Sequence, residues 1–313
     1  MKINIAEAHH RINNIIIRTP LITDDYINNF LENTTFFKCE NLQKIHAFKA
    51  RGAANALSKL QKNLLEKGVA THSSGNHGQA LAWAAKIFGT QAHVVMPMTA
   101  PKTKVDAVRF WGGEITFCEP TLQAREETLQ QVVERTGAIF IPPYNHWDII
   151  EGQGTCAFEI LQEGFEPDFI LAPVGGGGLL SGTALAAHQF SPKTKVIGCE
   201  PKNADDAYQS FHAGKLIPVG AANTIADGLR TSLGDITFDV IRKYVHDILT
   251  VTEEEVIDAW RWITFYLKLI IEPSCAVPVA ALLKHKDKFK GKKVAVILTG
   301  GNVDAEKLRL ILP

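Results

Sequence analysis

Several short stretches of this chain bring together residue types that can do chemistry. Lys49 lies in Ala47-Phe48-Lys49-Ala50-Arg51-Gly52-Ala53, between an aromatic residue and a small one, where a helix begins. The small residues after it (Ala50, Gly52, Ala53, Ala54, Ala56) leave room beside the amine for something flat and bulky. A desolvated lysine has a lowered pKa and attacks aldehydes, whereas a lysine at an ordinary helix start is a solvated charge. What separates the two readings is the company Lys49 keeps elsewhere in the chain.

Pro173-Val174-Gly175-Gly176-Gly177-Gly178-Leu179-Leu180-Ser181 follows an apolar strand and opens a helix. Four glycines let the backbone curl and aim several N–H groups at one point, and the helix start adds its positive end, which makes a site for a phosphate dianion. No Lys-Ser/Thr follows, so this is not a P-loop, and no acidic residue stands at ribose distance for a dinucleotide. Ser73-Ser74-Gly75-Asn76-His77-Gly78-Gln79 is a second polar run between strand and helix, and it suits a second anion, a substrate carboxylate; a simple capping segment is the alternative. Ile297-Leu298-Thr299-Gly300-Gly301-Asn302 puts a hydroxyl at the end of an apolar strand, where it can reach a flat ring or merely cap. In Cys199-Glu200-Pro201-Lys202-Asn203-Ala204-Asp205-Asp206, Glu200, the Ala204 carbonyl and Asp206 offer oxygens to a hard divalent ion, or form a solvated acidic turn.

The elements that must position these stretches alternate strand and helix. Strands are expected at 35–39, 69–72, 92–96, 114–118, 138–141, 168–174, 195–199 and 293–298. Helices are expected at 6–16, 47–60, 78–88, 102–111, 122–136, 152–163, 179–189, 204–213, 253–268 and 275–285. The pattern predicts an α/β protein with parallel sheets covered on both faces. Pro142-Pro143-Tyr144-Asn145 breaks it and is a candidate hinge. The expected organisation is a large domain of 1–65 and 144–313 with a small mobile domain, 66–143, inserted in it, and Lys49 facing the cleft between them. With 313 residues, 46% apolar and 33 charges of each sign, the chain reads as globular; no basic excess argues for nucleic acid, and no apolar run is long enough for a membrane span. The N-terminal Met1–Glu7 lacks a signal-peptide core, and five scattered cysteines without a CxxC pair read as reduced thiols, so a cytoplasmic location is expected. Cys275, beside Glu272-Pro273, could be reactive, but packing is the simpler reading.

Lys38-Cys39-Glu40-Asn41-Leu42-Gln43 followed by the Lys49 segment resembles the fold-type II pyridoxal 5'-phosphate (PLP) enzymes, and within them the serine/threonine dehydratase and serine racemase family. The resemblance runs from Arg18-Thr19-Pro20-Leu21 to Gly301-Asn302-Val303-Asp304. It implies a tryptophan synthase β-like architecture with PLP in the interdomain cleft, held as a Schiff base on Lys49 beside Phe48. Its phosphate would lie on Gly175, Gly176, Gly177, Gly178 and Leu179, its ring hydroxyl on Asn76 and its ring nitrogen on Thr299. The substrate carboxylate would meet Ser73, Ser74, Asn76 and His77, and Arg125 would help bind substrate or close the domain; a solvated arginine beside Glu126 and Glu127 is the alternative. Glu200, Ala204 and Asp206 would hold Mg²⁺ (or Mn²⁺ or Ca²⁺), and a homodimer is implied. Lys49 as base and Ser74 as an acid/base on the opposite face imply β-elimination of hydroxy amino acids and racemisation of serine; hydroxyaspartate dehydratase and threonine ammonia-lyase are the alternatives, with a non-catalytic PLP or amino-acid sensor further off. Ala47 stands where serine is usual, and Tyr144-Asn145-His146-Trp147 and Glu151 depart from the common family pattern, which leaves substrate preference open. The run SSGNHGQ, in place of a TGNTG-like loop, argues against a cysteine synthase type.

Overall fold

The computed structural model describes residues 3–312; of the N-terminal reading above, Met1 and Lys2 lie outside them. Its strands are β1 (Leu21–Ile22), β2 (Thr34–Cys39), β3 (Val69–His72), β4 (Ala92–Pro97), β5 (Glu114–Cys118), β6 (Ile139–Phe140), β7 (Phe169–Pro173), β8 (Lys195–Pro201), β9 (Asp247–Val251) and β10 (Lys293–Leu298). They form a six-stranded sheet in the order β1-β2-β10-β7-β8-β9 and a four-stranded sheet in the order β5-β4-β3-β6. Only the β1–β2 pairing is antiparallel; every other ladder is parallel.

The central strands of the large sheet are apolar on both faces because helices cover both. Phe37, Leu171, Ile197, Val294 and Val296 point to the helices Glu253–Leu267 and Pro273–Lys284. Ile170, Ala172, Val196, Ala295 and Ile297 point to the helices Trp147–Gln162 and Gly178–Phe190. The helix Lys49–Ser58 shares a third core cluster with the helix Asn76–Phe88 of the smaller sheet. The expected strands and helices are present with ends moved by a few residues. Sequence reading missed β1, β9 and the helices Asp25–Leu31 and Asp235–Tyr244, which are half-polar elements at the sheet edge.

Two features fix the helix of Lys49. Backbone meets backbone where glycines remove side chains: a Cβ on Gly152 would lie 2.7 Å from the Arg51 carbonyl, and one on Gly182 would lie 2.4 Å from the Ile150 carbonyl. The helices starting at Lys49, Trp147 and Gly178 therefore pack as one slab. Beneath it, Arg51 is fully buried and donates to both oxygens of Glu40 (2.7 and 2.8 Å) and both oxygens of Glu159 (2.8 and 2.8 Å). Lys38, also buried, donates to Glu159 and to the Thr19 carbonyl at 2.7 Å each. Burial disfavours the Arg51 charge, yet the two carboxylates beside it hold its proton more tightly than usual.

Removing that guanidinium strands two buried carboxylates. Arg51→Met is expected to lower unfolding free energy by about 3–5 kcal/mol. Urea denaturation of the variant checks this; an unchanged midpoint would show that the network is dispensable.

Candidate active site

Parallel strands deliver their loops to one edge. β2, β10, β7 and β8 are neighbours running the same way, so the segments after Cys39, Leu298, Pro173 and Pro201 emerge side by side at their carboxyl ends. These are the stretches leading to Lys49, Thr299, the four glycines and Ala204. The loop after β3, Ser73–Gly75, faces them from the smaller sheet.

Lys49 opens its helix half-buried, its Nζ 5.2 Å from the Phe48 ring centroid and donating to the Pro143 carbonyl at 2.7 Å. Burial pushes its pKa down to about 8, against a smaller opposing pull from Glu272. The turn before it is unusual: Ile45 and His46 both have left-handed φ, 56° and 55°, which is costly for a β-branched residue. That turn is stapled to the loop after β10 by Asn302 Nδ2 donating to the Ile45 carbonyl (2.8 Å) and the Gly301 N–H donating to the His46 carbonyl (3.0 Å). The Phe48 N–H also donates to the Thr299 carbonyl at 3.0 Å. Thr299 itself is buried beside Cys275, whose thiol burial pushes far up; Cys275 is a packed, inert sulfur, not a nucleophile.

Among the helix starts that lack a side-chain cap are two at this edge. The Gly178–Phe190 helix is entered through Gly177 at φ 86°, and the Asn76–Phe88 helix through Gly75. The capping alternative for the serine run therefore fails at the helix itself; the Ser73 hydroxyl instead accepts from the Gly75 N–H at 3.2 Å. Glycine is required in the tetraglycine loop by what surrounds it. A Cβ on Gly176 would sit 2.2 Å from the Tyr144 ring. The loop is pinned by Thr237, whose hydroxyl donates to the Gly176 carbonyl at 2.9 Å. Leu179 and Ser181 are buried behind it, while Ser74 is half-buried in its own loop. His77 is buried, its Nε2 donates to the Ile141 carbonyl (3.1 Å), and burial with nearby Lys49 drops its pKa to about 3. His77 is thus a neutral ring turned away, and what it offers an anion is its backbone N–H. Arg125 is half-buried; burial, with the Arg125 charge adding to it, lowers the pKa of His72 at the end of β3, and the same charge reaches Cys118 at the end of β5.

Sequence reading missed Glu272. It is buried just before Pro273, and Asn76 Nδ2 donates to its two oxygens at 2.9 and 3.1 Å. A Cβ on Gly300 would lie 2.6 Å from its Oε1, so the carboxylate lies against the Thr299–Gly300 turn. Burial, reinforced by Asp227, pushes it up to about 7. The acidic residue between Ile271 and the helix-starting Pro273 was the available signal. Across the cleft, Lys104 pairs with Asp227 at 2.7 Å and the Thr103 hydroxyl donates to Asp304 at 2.5 Å. They flank a cavity of about 180 Å³ that Asn76, Gln79 and Asn302 also line.

Glu200 and Asp206 are both buried. The Glu200 carboxylate accepts from the Ala207 and Tyr208 N–H groups (3.1 and 2.8 Å), Asp206 Oδ2 accepts from the Leu233 N–H (3.2 Å), and Asp206 Oδ1 has no partner. Burial drives both carboxyls up, Asp206 to about 7, and the nearby Asp206 adds to the rise of Glu200. Among the described residues no group of three or more His, Cys, Asp or Glu side chains is arranged for a metal. Ala204, between them in the chain, is also buried.

Residues 12–300 match the pyridoxal-phosphate dependent enzyme family, and the chain belongs to it. It is 49% identical over 305 residues to the beta-hydroxyaspartate dehydratase of Paracoccus denitrificans, covering 97% of each chain. It is 47% identical to the serine racemase of Arabidopsis thaliana, covering 98% of this chain and 94% of that one. The crystal structure of serine racemase from Dictyostelium discoideum superposes with a TM-score of 0.92 at 44% identity, covering 96% of this chain and 97% of that one. The donor set fits a phosphorylated aldehyde: an uncapped glycine-rich helix start for the phosphate, and a buried amine of lowered proton affinity for the aldehyde.

An amine that loses its proton at about 8 attacks aldehydes at a lower pH than one at 10.5. The rate at which the apoprotein takes up PLP covalently is expected to rise with pH through a midpoint near 8. Stopped-flow absorbance across roughly pH 6–11 reads this; a midpoint near the ordinary lysine value would contradict the desolvated Lys49.

Proposed function

We propose that this chain removes ammonia from small L-β-hydroxy amino acids by β-elimination, leaving a 2-oxoacid, and interconverts L- and D-serine. The observation that carries the proposal is the desolvated amine of Lys49, in a chain with two glycine-entered helix starts that no side chain caps. Bound there, PLP supplies the electron sink that makes the substrate Cα–H acidic. Gly175, Gly176, Gly177, Gly178 and Leu179 would hold its phosphate with backbone N–H groups, and Phe48, Asn76 and Thr299 would hold its ring. A neutral Thr299 hydroxyl leaves the ring nitrogen unprotonated, which suits elimination over longer-lived carbanions.

The backbone at Ser73, Asn76 and His77, with the Ser74 hydroxyl, holds the substrate carboxylate and fixes the Cα–H bond across the ring plane. Lys49 takes the Cα proton on one face. The β-hydroxyl leaves with a proton as water, and the released enamine adds water to give the 2-oxoacid and ammonia. Ser74 returns a proton to the opposite face in racemisation. A second reading, dehydration of 3-hydroxyaspartate, is favoured by Arg125 beside His72 at the end of β3, a cation available to a second carboxylate. L-Threonine remains the further substrate of the same machinery.

Residues 66–143, which contain the whole smaller sheet, are proposed to move as a unit over the remainder and to close across the Lys104–Asp227 contact. The buried carboxylates of Glu200 and Asp206, with no cationic partner and one orphaned oxygen, support Mg²⁺ (or Mn²⁺ or Ca²⁺) completed by the Ala204 carbonyl, in a stabilising role. Exposed Tyr26, Phe30, Phe265 and Tyr266, with Tyr26 stacked on Tyr266 at 5.3 Å, support a homodimer. The five unpaired, buried cysteines support a reducing cytoplasmic setting, and no helix among the described residues is long and apolar enough to cross a membrane.

Incubating the PLP-loaded protein with L-serine, L-threonine and L-threo-3-hydroxyaspartate, and quantifying 2-oxoacid and D-amino acid, tests the reaction. Ser74→Ala is expected to lose D-serine formation by at least about a hundredfold while keeping oxoacid formation; no oxoacid from any of the three substrates would overturn the assignment. Mg²⁺ is expected to raise the melting temperature, and Asp206→Asn to abolish that rise. An identical response in the variant would remove the metal from these ligands. Light scattering is expected to give twice 34.4 kDa.

A further inference from the structure

The tetraglycine loop lies between two jaws that come from distant parts of the chain. On one side the Tyr144 ring covers Gly176, and the Tyr144 backbone lies against Gly178, where an added Cβ would sit 3.1 Å from Tyr144 Cα. On the other side the start of the helix Asp235–Tyr244 meets Gly177: a Cβ there would lie 2.8 Å from both Leu233 Cδ2 and Thr237 Cβ. Thr237 completes this jaw by donating to the Gly176 carbonyl at 2.9 Å. Backbone flanked this closely keeps its N–H directions only while both jaws keep their places.

One side chain joins the jaws. Asn145 Oδ1 accepts from the Ile236 N–H at 3.1 Å, and Asn145 Nδ2 donates to Asp235 Oδ1 at 2.7 Å. A backbone N–H can only donate and an ionised carboxylate can only accept, so the Asn145 amide cannot be turned over. The Ile236 N–H also donates to Asp235 Oδ1 at 2.8 Å, which closes the set. This helix has no capping side chain of its own, because its N-cap is Gly234. A Cβ on Gly234 would lie 2.1 Å from Asn145 Cγ, so the Asn145 amide stands where a capping side chain would. Its hydrogen bond holds the Asp235 carboxyl below the usual carboxylate range.

We propose that Asn145 is a positioning residue for the cofactor phosphate: by capping the helix Asp235–Tyr244 from across the chain, it closes the Tyr144 and Thr237 jaws on the tetraglycine loop. The loop N–H groups are then aimed before any phosphate arrives. This role rests on the PLP reading of the site, and Asn145 acts through Tyr144 and Thr237. Tyr144 follows Pro143, whose carbonyl accepts from the Lys49 amine at 2.7 Å. The same cap therefore sets the amine and the loop in one frame.

Equilibrium binding of PLP, read from the Schiff-base absorption band, tests this in three variants. Asn145→Ala is expected to raise the PLP dissociation constant about fivefold. Asn145→Asp sets a carboxylate against Asp235 and is expected to raise it about tenfold. Adding Asp235→Asn to Asn145→Asp restores an acceptor for the Ile236 N–H and a donor opposite it. That double variant is expected to return to within about twofold of wild type. Hydrogen exchange of the 234–238 segment in cofactor-free protein is expected to quicken in Asn145→Ala and to slow again in the double variant. A merely structural role would lower the melting temperature and leave the dissociation constant alone. A constant unchanged in Asn145→Ala, or not recovered in the double variant, overturns the proposal. A wild-type protein with no Schiff-base band would instead remove the PLP reading itself, so the two failures are distinguishable.

Discussion

Arg51 sits two residues after Lys49 and spends its guanidinium on four buried oxygens of Glu40 and Glu159. Glu40 follows β2, and Glu159 lies on the helix Trp147–Gln162, so one side chain ties the helix of Lys49 to the large sheet and to its covering layer. Charged groups this deep are tolerated because every one has a partner: Lys38 and Thr19 complete what Arg51 leaves open. Such a network contributes little net stability over an apolar core. What it supplies is a fixed place for the first turn of the helix, and the amine is at that turn.

The slab of glycine-spaced helices extends this constraint across the site. Because the helices starting at Lys49 and Gly178 both pack backbone-to-backbone on Trp147–Gln162, the amine and the tetraglycine loop have a set separation. Thr237 holds the loop from the far side, and Tyr144 fills the gap over Gly176. Tyr144 also follows Pro143, whose carbonyl accepts from Lys49, so the segment joining the two sheets touches the amine and the tetraglycine loop at once. One segment thereby links the smaller sheet to both. Keeping an amine desolvated and two helix starts uncapped is unfavourable for folding, and the rigid surroundings sustain that cost.

Much of this was readable in the chain. Alternating strands and helices announced parallel sheets, and a strand–glycines–helix run announced a helix start left uncapped by any side chain. The positions of Lys49, the serine run and Thr299 followed from their place at strand ends. What could not be read were side chains whose meaning depends on register. Lys38 looks like an exposed residue alternating along a strand, but β1 pairs with β2 at Leu21 opposite Lys38, and Glu159 reaches it from a helix over a hundred residues away. Glu272 meets Asn76 across 196 residues at the loop after β10, where the Glu272 N–H donates to the Gly300 carbonyl and Asn302 donates to Asn76 Oδ1. Nor could the sequence show that the His77 ring donates to the Ile141 carbonyl, where burial keeps it neutral.

The central claim is that the nucleophilic amine of this site is Lys49. Borohydride reduction of the PLP-loaded protein, followed by digestion and mass mapping, tests it most directly. The account predicts a pyridoxyl group on the peptide containing Lys49, with trypsin no longer cutting after that residue. A pyridoxyl group on another lysine, such as Lys44 or Lys104, with Lys49 unmodified, would contradict it.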